Sequence, residues 1–214
     1  HSSAEQRRLF SLAHWRVAQA HGFDISPVAI REAMDRKGGS NACFYVAEAR
    51  ACPLPDSSVD GAYSFEMLEH LWDPIAALGE MARVIRPGGF ILVSCPNRFS
   101  LDLHLRKRRP ARWAEIMLAM ARYAQDRVTG TTHVNLEPDL DASPIYPDCD
   151  MIAALIPRNV PGLMRRLGCR LVFLDTYYMC AHREGSATAL NFQRNAKHPF
   201  IKWHGDHILL MAMK

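Results

Sequence analysis

The sequence predicts an α/β fold: a doubly wound, mostly parallel sheet with an antiparallel edge strand and a helical lid insertion. Regular alternation of strand-like and helix-like segments between residues 16 and 95 is the first sign. The apolar run Phe90–Cys95 is the second, since a strand buried on both faces reads as continuous rather than alternating. The third is the placing of polar residues at successive strand ends, where such sheets bind ligands.

Ala4 to Trp15 reads as a helix, with Leu9, Phe10, Leu12 and Ala13 on one side. Arg16 to Phe23 reads as a short strand ending at Asp24. Ser26 as N-cap and Pro27 at the first position open a helix to about Arg36, stopped by Lys37-Gly38-Gly39. Asn41 to Ala47 is a strand, CPLPDSS a turn-rich loop, and Gly61 to Phe65 the next strand. Asp73-Pro74 opens a helix to Ile85, with Ile75, Leu78, Ala82 and Ile85 on its buried face. Arg86-Pro87-Gly88-Gly89 ends it and the strand at Phe90 follows. Residues 101–127 read as helical with a break at Pro110, and 98–150 as a lid within a single 1–214 domain. A helix near 158–167, a strand at 170–178 and a final strand at 206–213 close the chain, the last two strands forming an antiparallel edge.

At 214 residues the chain is long enough for a sizeable core. With 49% hydrophobic and 22% charged residues its composition is that of a globular protein. No apolar run reaches the roughly eighteen residues of a membrane span, and the start HSSAEQRR lacks a signal-peptide layout. Six cysteines are scattered without a CxxC pair, which points to reduced core thiols in a cytoplasmic protein. Net charge is +4, much of it in HLRKRRPAR at 104–112. That run reads as solvated surface or as steering for an acidic substrate. It lacks the interleaved aromatics of a nucleic-acid groove.

At the strand ends, the Asp24 carboxylate suits the vicinal hydroxyls of a ribose, or simply caps the next helix. Glu48 suits an exocyclic amine, with the Ala49 N–H on a ring nitrogen, or is a solvated loop acid. Phe65 and Glu66 end the third strand.

GFDISPVAIREA, EARACPLPDSSVD and EMLEHLWDPIAALGEMARVIRPGGFILVSCPN resemble, as a set, class I S-adenosylmethionine-dependent methyltransferases, and among these the ubiquinone-biosynthesis type of O-methyltransferase. The likeness runs from about Arg16 to Asn97 and resumes over 132–174. Glu48 stands where Asp is commoner, and Cys52 where Leu is. The resemblance implies S-adenosylmethionine as cofactor, held by Asp24, Ile25, Glu48, Ala49, Phe65 and Glu66, with the amino-acid tail of the cofactor near the last two. It implies methyl transfer to a small-molecule acceptor, more readily oxygen than nitrogen or carbon. The alternatives are a catalytically inactive methyltransferase-like binding domain and, resting on the 104–112 run, an RNA methyltransferase. A homodimer is left open.

The family's first strand and glycine-rich loop belong about twenty residues before Asp24, yet no glycine precedes Gly22. Only Gly permits the close backbone approach such a loop makes. A missing segment between about Arg8 and Trp15 is the expectation, and a degenerate domain the rival.

Glu66, Glu69 and His70 stand at i, i+3 and i+4, and on a helical turn they share a face able to hold a divalent cation. The same spacing resembles an acidic-acidic-His motif of that subfamily, some members of which use magnesium. The competing reading has Glu69-His70 shaping a metal-free pocket. His133, in TTHVN, matches a subfamily His near the methyl acceptor and could take its proton; His70 is the second catalytic candidate. The other histidines, His207 among them, read as structural.

Overall fold

A computed structural model gives the structure and describes residues 17–97, 121, 125, 128–135, 152–177 and 207–214. The expected helix at 4–15, the expected break in the chain between Arg8 and Trp15, most of the 98–150 lid and the basic run lie outside the described residues. The chain divides into two compact units, His1–Pro53 and Leu54–Lys214.

In the first unit, β1 (Ala20–Asp24) and β2 (Ala42–Val46) run parallel in register, from Ala20 opposite Ala42 to Asp24 opposite Val46. Helix α1 (Pro27–Arg36) connects them. Its bounds follow from local chemistry: the Ser26 side chain accepts from the Ala29 N–H at 3.3 Å, and Pro27 occupies the first turn, where its missing N–H costs nothing. On one face of the pair, Phe23 stacks on Tyr45 at a centroid distance of 5.4 Å, and His21 on the same ring at 5.8 Å.

The second unit is built on a four-stranded sheet of order β3-β4-β8-β7: β3 (Val59–Phe65), β4 (Ile85–Pro96), β8 (His207–Met213) and β7 (Arg170–Tyr177). β3 and β4 are parallel, and β8 runs against both β4 and β7. The antiparallel strand therefore sits one place inside the sheet, with β7 outermost. β5 (His133–Asn135) and β6 (Ala153–Leu155) form a short antiparallel pair. Helix α2 (Pro74–Val84) packs on β4, and α3 (Val160–Arg166) on β7. One sheet face, with Ile91, Val93, Cys95, Ile208, Leu210 and Ala212, is almost wholly withdrawn from solvent. The alternate residues Leu92, Leu209 and Met211 on the other face are half-buried.

Two expectations are revised here. The buried residues of α2 are Pro74, Ala77, Leu78, Ala82 and Val84, with Ile75 only half-buried. The Arg-Pro-Gly-Gly segment does not separate helix from strand: β4 begins at Ile85, where the helix stops. Pairing jumps from Val59–Ile85 to Gly61–Phe90, and the segment is taken up as an irregularity in the ladder. Gly88 supplies a φ of +84°, and a side chain on Gly89 would meet the Asp60 carbonyl.

Candidate functional site

A parallel strand pair directs its ligand chemistry to the carboxyl ends. In the first unit those ends carry Asp24 and the loop after Val46. Asp24 is exposed and its Oδ1 accepts from the Ser26 N–H at 2.7 Å, so the turn-capping role is present. The carboxylate retains further lone pairs for a ligand. Ile25 follows with 72% exposure, a large apolar side chain held in solvent at a strand end. Glu48 meets Arg50 at 2.8 Å, with both side chains more than half exposed. A pair so open contributes roughly 0–1 kcal/mol, so a ligand donor can compete for the carboxylate.

In the second unit, the end of β3 is more constrained. Glu66 has φ +49°, left-handed backbone that a residue with a side chain rarely adopts. Its N–H donates to the Ser94 carbonyl at 2.9 Å. The Ser94 hydroxyl donates to Glu66 Oε1 at 2.6 Å, and His207 Nε2 lies 3.0 Å from Glu66 Oε2. Ser94 and His207 are buried, whereas the Glu66 side chain keeps 26% of its surface.

Residues Leu68–His70 then form a 3-10 turn rather than an α-helix. Glu66 lies outside that turn, so the three residues do not share a helical face as their spacing predicts. Glu69 is buried, with His70 Nε2 3.7 Å from its Oε1, and its backbone carbonyl accepts from the Ile152 N–H. Among the described residues no three His, Cys, Asp or Glu side chains converge as a metal would require. Glu66, Glu69 and His70 thus do not fit a metal centre: one carboxylate is turned to Ser94 and His207, the other to His70.

Beneath these groups Cys95 is fully buried. Burial, first, and then the carboxylates of Glu69 and Glu66 push its thiol well above the ordinary value of 9.0. It stays protonated at neutral pH and is no nucleophile. The space bounded by Leu68, Glu69, Cys95, Pro96 and 153–155 is too tight for a water molecule.

Residues 5–93 match the family model described as a methyltransferase domain. Over that stretch the chain is similar to methyltransferase domains. Over 99 residues it is 37% identical to a Mycolicibacterium smegmatis protein named "Probable S-adenosylmethionine-dependent methyltransferase", covering 42% of this chain and 38% of that one. It is 35% identical over 81 residues to the O-methyltransferase cnsE of Penicillium expansum, covering 36% and 29%. The chain thus spans well under half the length of these relatives. Among solved structures, an S-adenosylmethionine-dependent methyltransferase from Mesorhizobium loti superposes with a TM-score of 0.57 at 15% identity, over 96% of this chain and 85% of that one. One from Archaeoglobus fulgidus gives 0.56 at 16%, over 98% and 81%. At such identities the likeness speaks for the Rossmann-like fold alone.

The stretch that matches the family model stops at Val93, one residue before Ser94. The sequence does not single out Ser94, and His207 reads there as structural. The hint available was a polar residue inside each of two apolar strands, FILVSC and HILLMAM, but nothing local aligns them. In the ladder, Ser94 lies opposite Leu209, and His207 opposite Pro96.

His133 stands in β5 opposite Leu155, which bridges in turn to Asn97 at the end of β4. Two strand spacings, about 10 Å, thus separate the His133 backbone from the carboxyl end of the central strand. His70 keeps 37% of its side chain exposed beside Glu69.

Proposed function

We propose that this chain belongs to an enzyme that transfers a methyl group from S-adenosylmethionine to a small-molecule acceptor, at oxygen. The match of residues 5–93 to the methyltransferase domain carries this reading. The O-methyltransferase relatives support oxygen as the acceptor atom. No helix among the described residues is long and apolar enough to cross a membrane. The scattered cysteines without a CxxC pair support a cytoplasmic setting.

When bound, S-adenosylmethionine supplies a sulfonium-activated methyl group for in-line displacement. The chemistry of the residues that the resemblance points to supports its binding. Asp24 offers lone pairs to the ribose hydroxyls, with the exposed Ile25 beside it as an apolar contact. Glu48 offers an acceptor to the exocyclic amine and Ala49 a backbone donor. Phe65 and Glu66 face the amino-acid tail. His133 takes the proton from the acceptor hydroxyl as its oxygen is methylated, and His70 helps shape the acceptor side. Because the donor is already activated, most of the acceleration comes from alignment, and the chain needs only one modest base.

Calorimetry of the full-length protein with S-adenosylhomocysteine tests the reading. Binding is expected, and Asp24→Ala should weaken it about tenfold or more, the loss of a charge-assisted pair of hydrogen bonds. An intact protein that binds no S-adenosylhomocysteine would instead be a binding domain that keeps the fold without the cofactor.

A further inference from the structure

Glu66 holds a left-handed backbone conformation without being glycine, and such a conformation persists only where its surroundings over-determine it. Here they do. The Glu66 N–H is fixed by the Ser94 carbonyl and one carboxylate oxygen by the Ser94 hydroxyl at 2.6 Å, while His207 Nε2 stands at ion-pair distance, 3.0 Å, from the other. Both holding groups are buried and come from strands far away in sequence, at positions set by the β4–β8 register. The carboxylate itself is a quarter exposed.

A carboxylate has about four lone-pair directions. The Ser94 hydroxyl takes one on Oε1 and the His207 ring lies against Oε2, both from the buried side, which leaves the outer ones directed away from them. A second carboxylate, Glu69, is near enough for both acids to act on the Cys95 thiol. The end of β3 therefore carries negative potential and a rigid acceptor, suited to a cation with several N–H donors and unsuited to a phosphate or carboxylate.

We propose that Ser94 and His207 are positioning residues that present the Glu66 carboxylate to a primary ammonium group, the α-ammonium of an amino-acid-like tail. This rests on the methyltransferase reading above and extends it by assigning two residues beyond the family match. The clamp makes the carboxylate a fixed acceptor rather than a freely rotating one, so affinity for the tail depends on both holders as well as on Glu66.

Two probes separate the tail from the rest of the cofactor. S-adenosylhomocysteine has the α-ammonium; 5′-methylthioadenosine keeps the adenosine and lacks the tail. Calorimetry on the full-length protein should show that Glu66→Gln weakens S-adenosylhomocysteine about tenfold or more and leaves 5′-methylthioadenosine within about twofold. Ser94→Ala and His207→Leu should act in the same sense. His207→Gln, whose amide can reach the Nε2 position, should recover part of the loss. A clamp that merely holds the sheet together predicts lower melting temperatures with the affinity ratio of the two probes unchanged, and that result overturns the proposal. Equal loss for both probes in Glu66→Gln, the near-isosteric variant least prone to misfolding, overturns it as well. If the wild-type protein binds neither probe, the methyltransferase reading fails and takes the clamp with it.

Discussion

Lys214 is the residue whose removal tests the packing logic most directly. Its Nζ donates to the carbonyls of Ala82 and Ile85 at 2.8 Å each, with a longer 3.4 Å contact to that of Arg83. These carbonyls close the C-terminal end of α2, where helical carbonyls lack intrahelical partners and the helix dipole is negative. Lys214→Met keeps the aliphatic stem and deletes the charge. Each short charge-assisted bond is worth roughly 1.5 kcal/mol, about 3 kcal/mol for the two. Freed side-chain entropy and rehydration of a half-exposed site return about half of that. The net loss is then about 1.5 kcal/mol, which for a chain of this size lowers Tm by roughly 3–6 °C. Thermal unfolding followed by circular dichroism reads this, and the difference should survive high salt because the ammonium is in direct contact with its acceptors. The backbone pairing of Lys214 with Gly88 and Gly89 is untouched by the substitution, so the strand end stays anchored. A Tm within about 1 °C of wild type would refute the reasoning, since water would then be serving the carbonyls as well as the ammonium does.

Two further predictions concern the chemistry and the pH response. His133→Ala should cut methyl-transfer turnover by about a hundredfold or more while leaving S-adenosylhomocysteine affinity nearly intact, measured by steady-state kinetics beside calorimetry; loss of cofactor binding alone would contradict the role. Cys95 is held protonated in the folded protein, so the unfolded chain releases its proton first as pH rises. Its contribution is complete below about pH 9 and is lost above it, with a slope of at most about 1.4 kcal/mol per pH unit. Urea unfolding at intervals from neutral to alkaline pH should show a shallower alkaline decline in Cys95→Ala, and parallel declines would exclude the thiol as a source.

Much of the first unit is legible from its residues because its signals are local. Ser26-Pro27 and Lys37-Gly38-Gly39 bound α1 within one turn, and the structure places the helix at Pro27–Arg36. Asp73-Pro74 does the same for α2, with the Asp73 side chain accepting from the Ala76 N–H at 2.9 Å. The carboxylates at strand ends were found through alternation alone. The Glu66-Glu69-His70 spacing misled, because i, i+3, i+4 implies one face only on a regular helix. Glu66 instead lies before a 3-10 turn, in a backbone conformation that no propensity foretells.

What the sequence determined by itself was the alternation of strands and helices, the caps, and the methyltransferase resemblance. Each depends on neighbours a few residues apart. Tertiary structure alone decided the neighbours of Glu66 and of the α2 C-terminus. Ser94 and His207 reach one carboxylate, and Lys214 reaches three carbonyls some 130 residues back in the chain, only because β8 inserts antiparallel between β4 and β7. Strand order is a global packing outcome, and until it is fixed no local pattern states which side chain will face which.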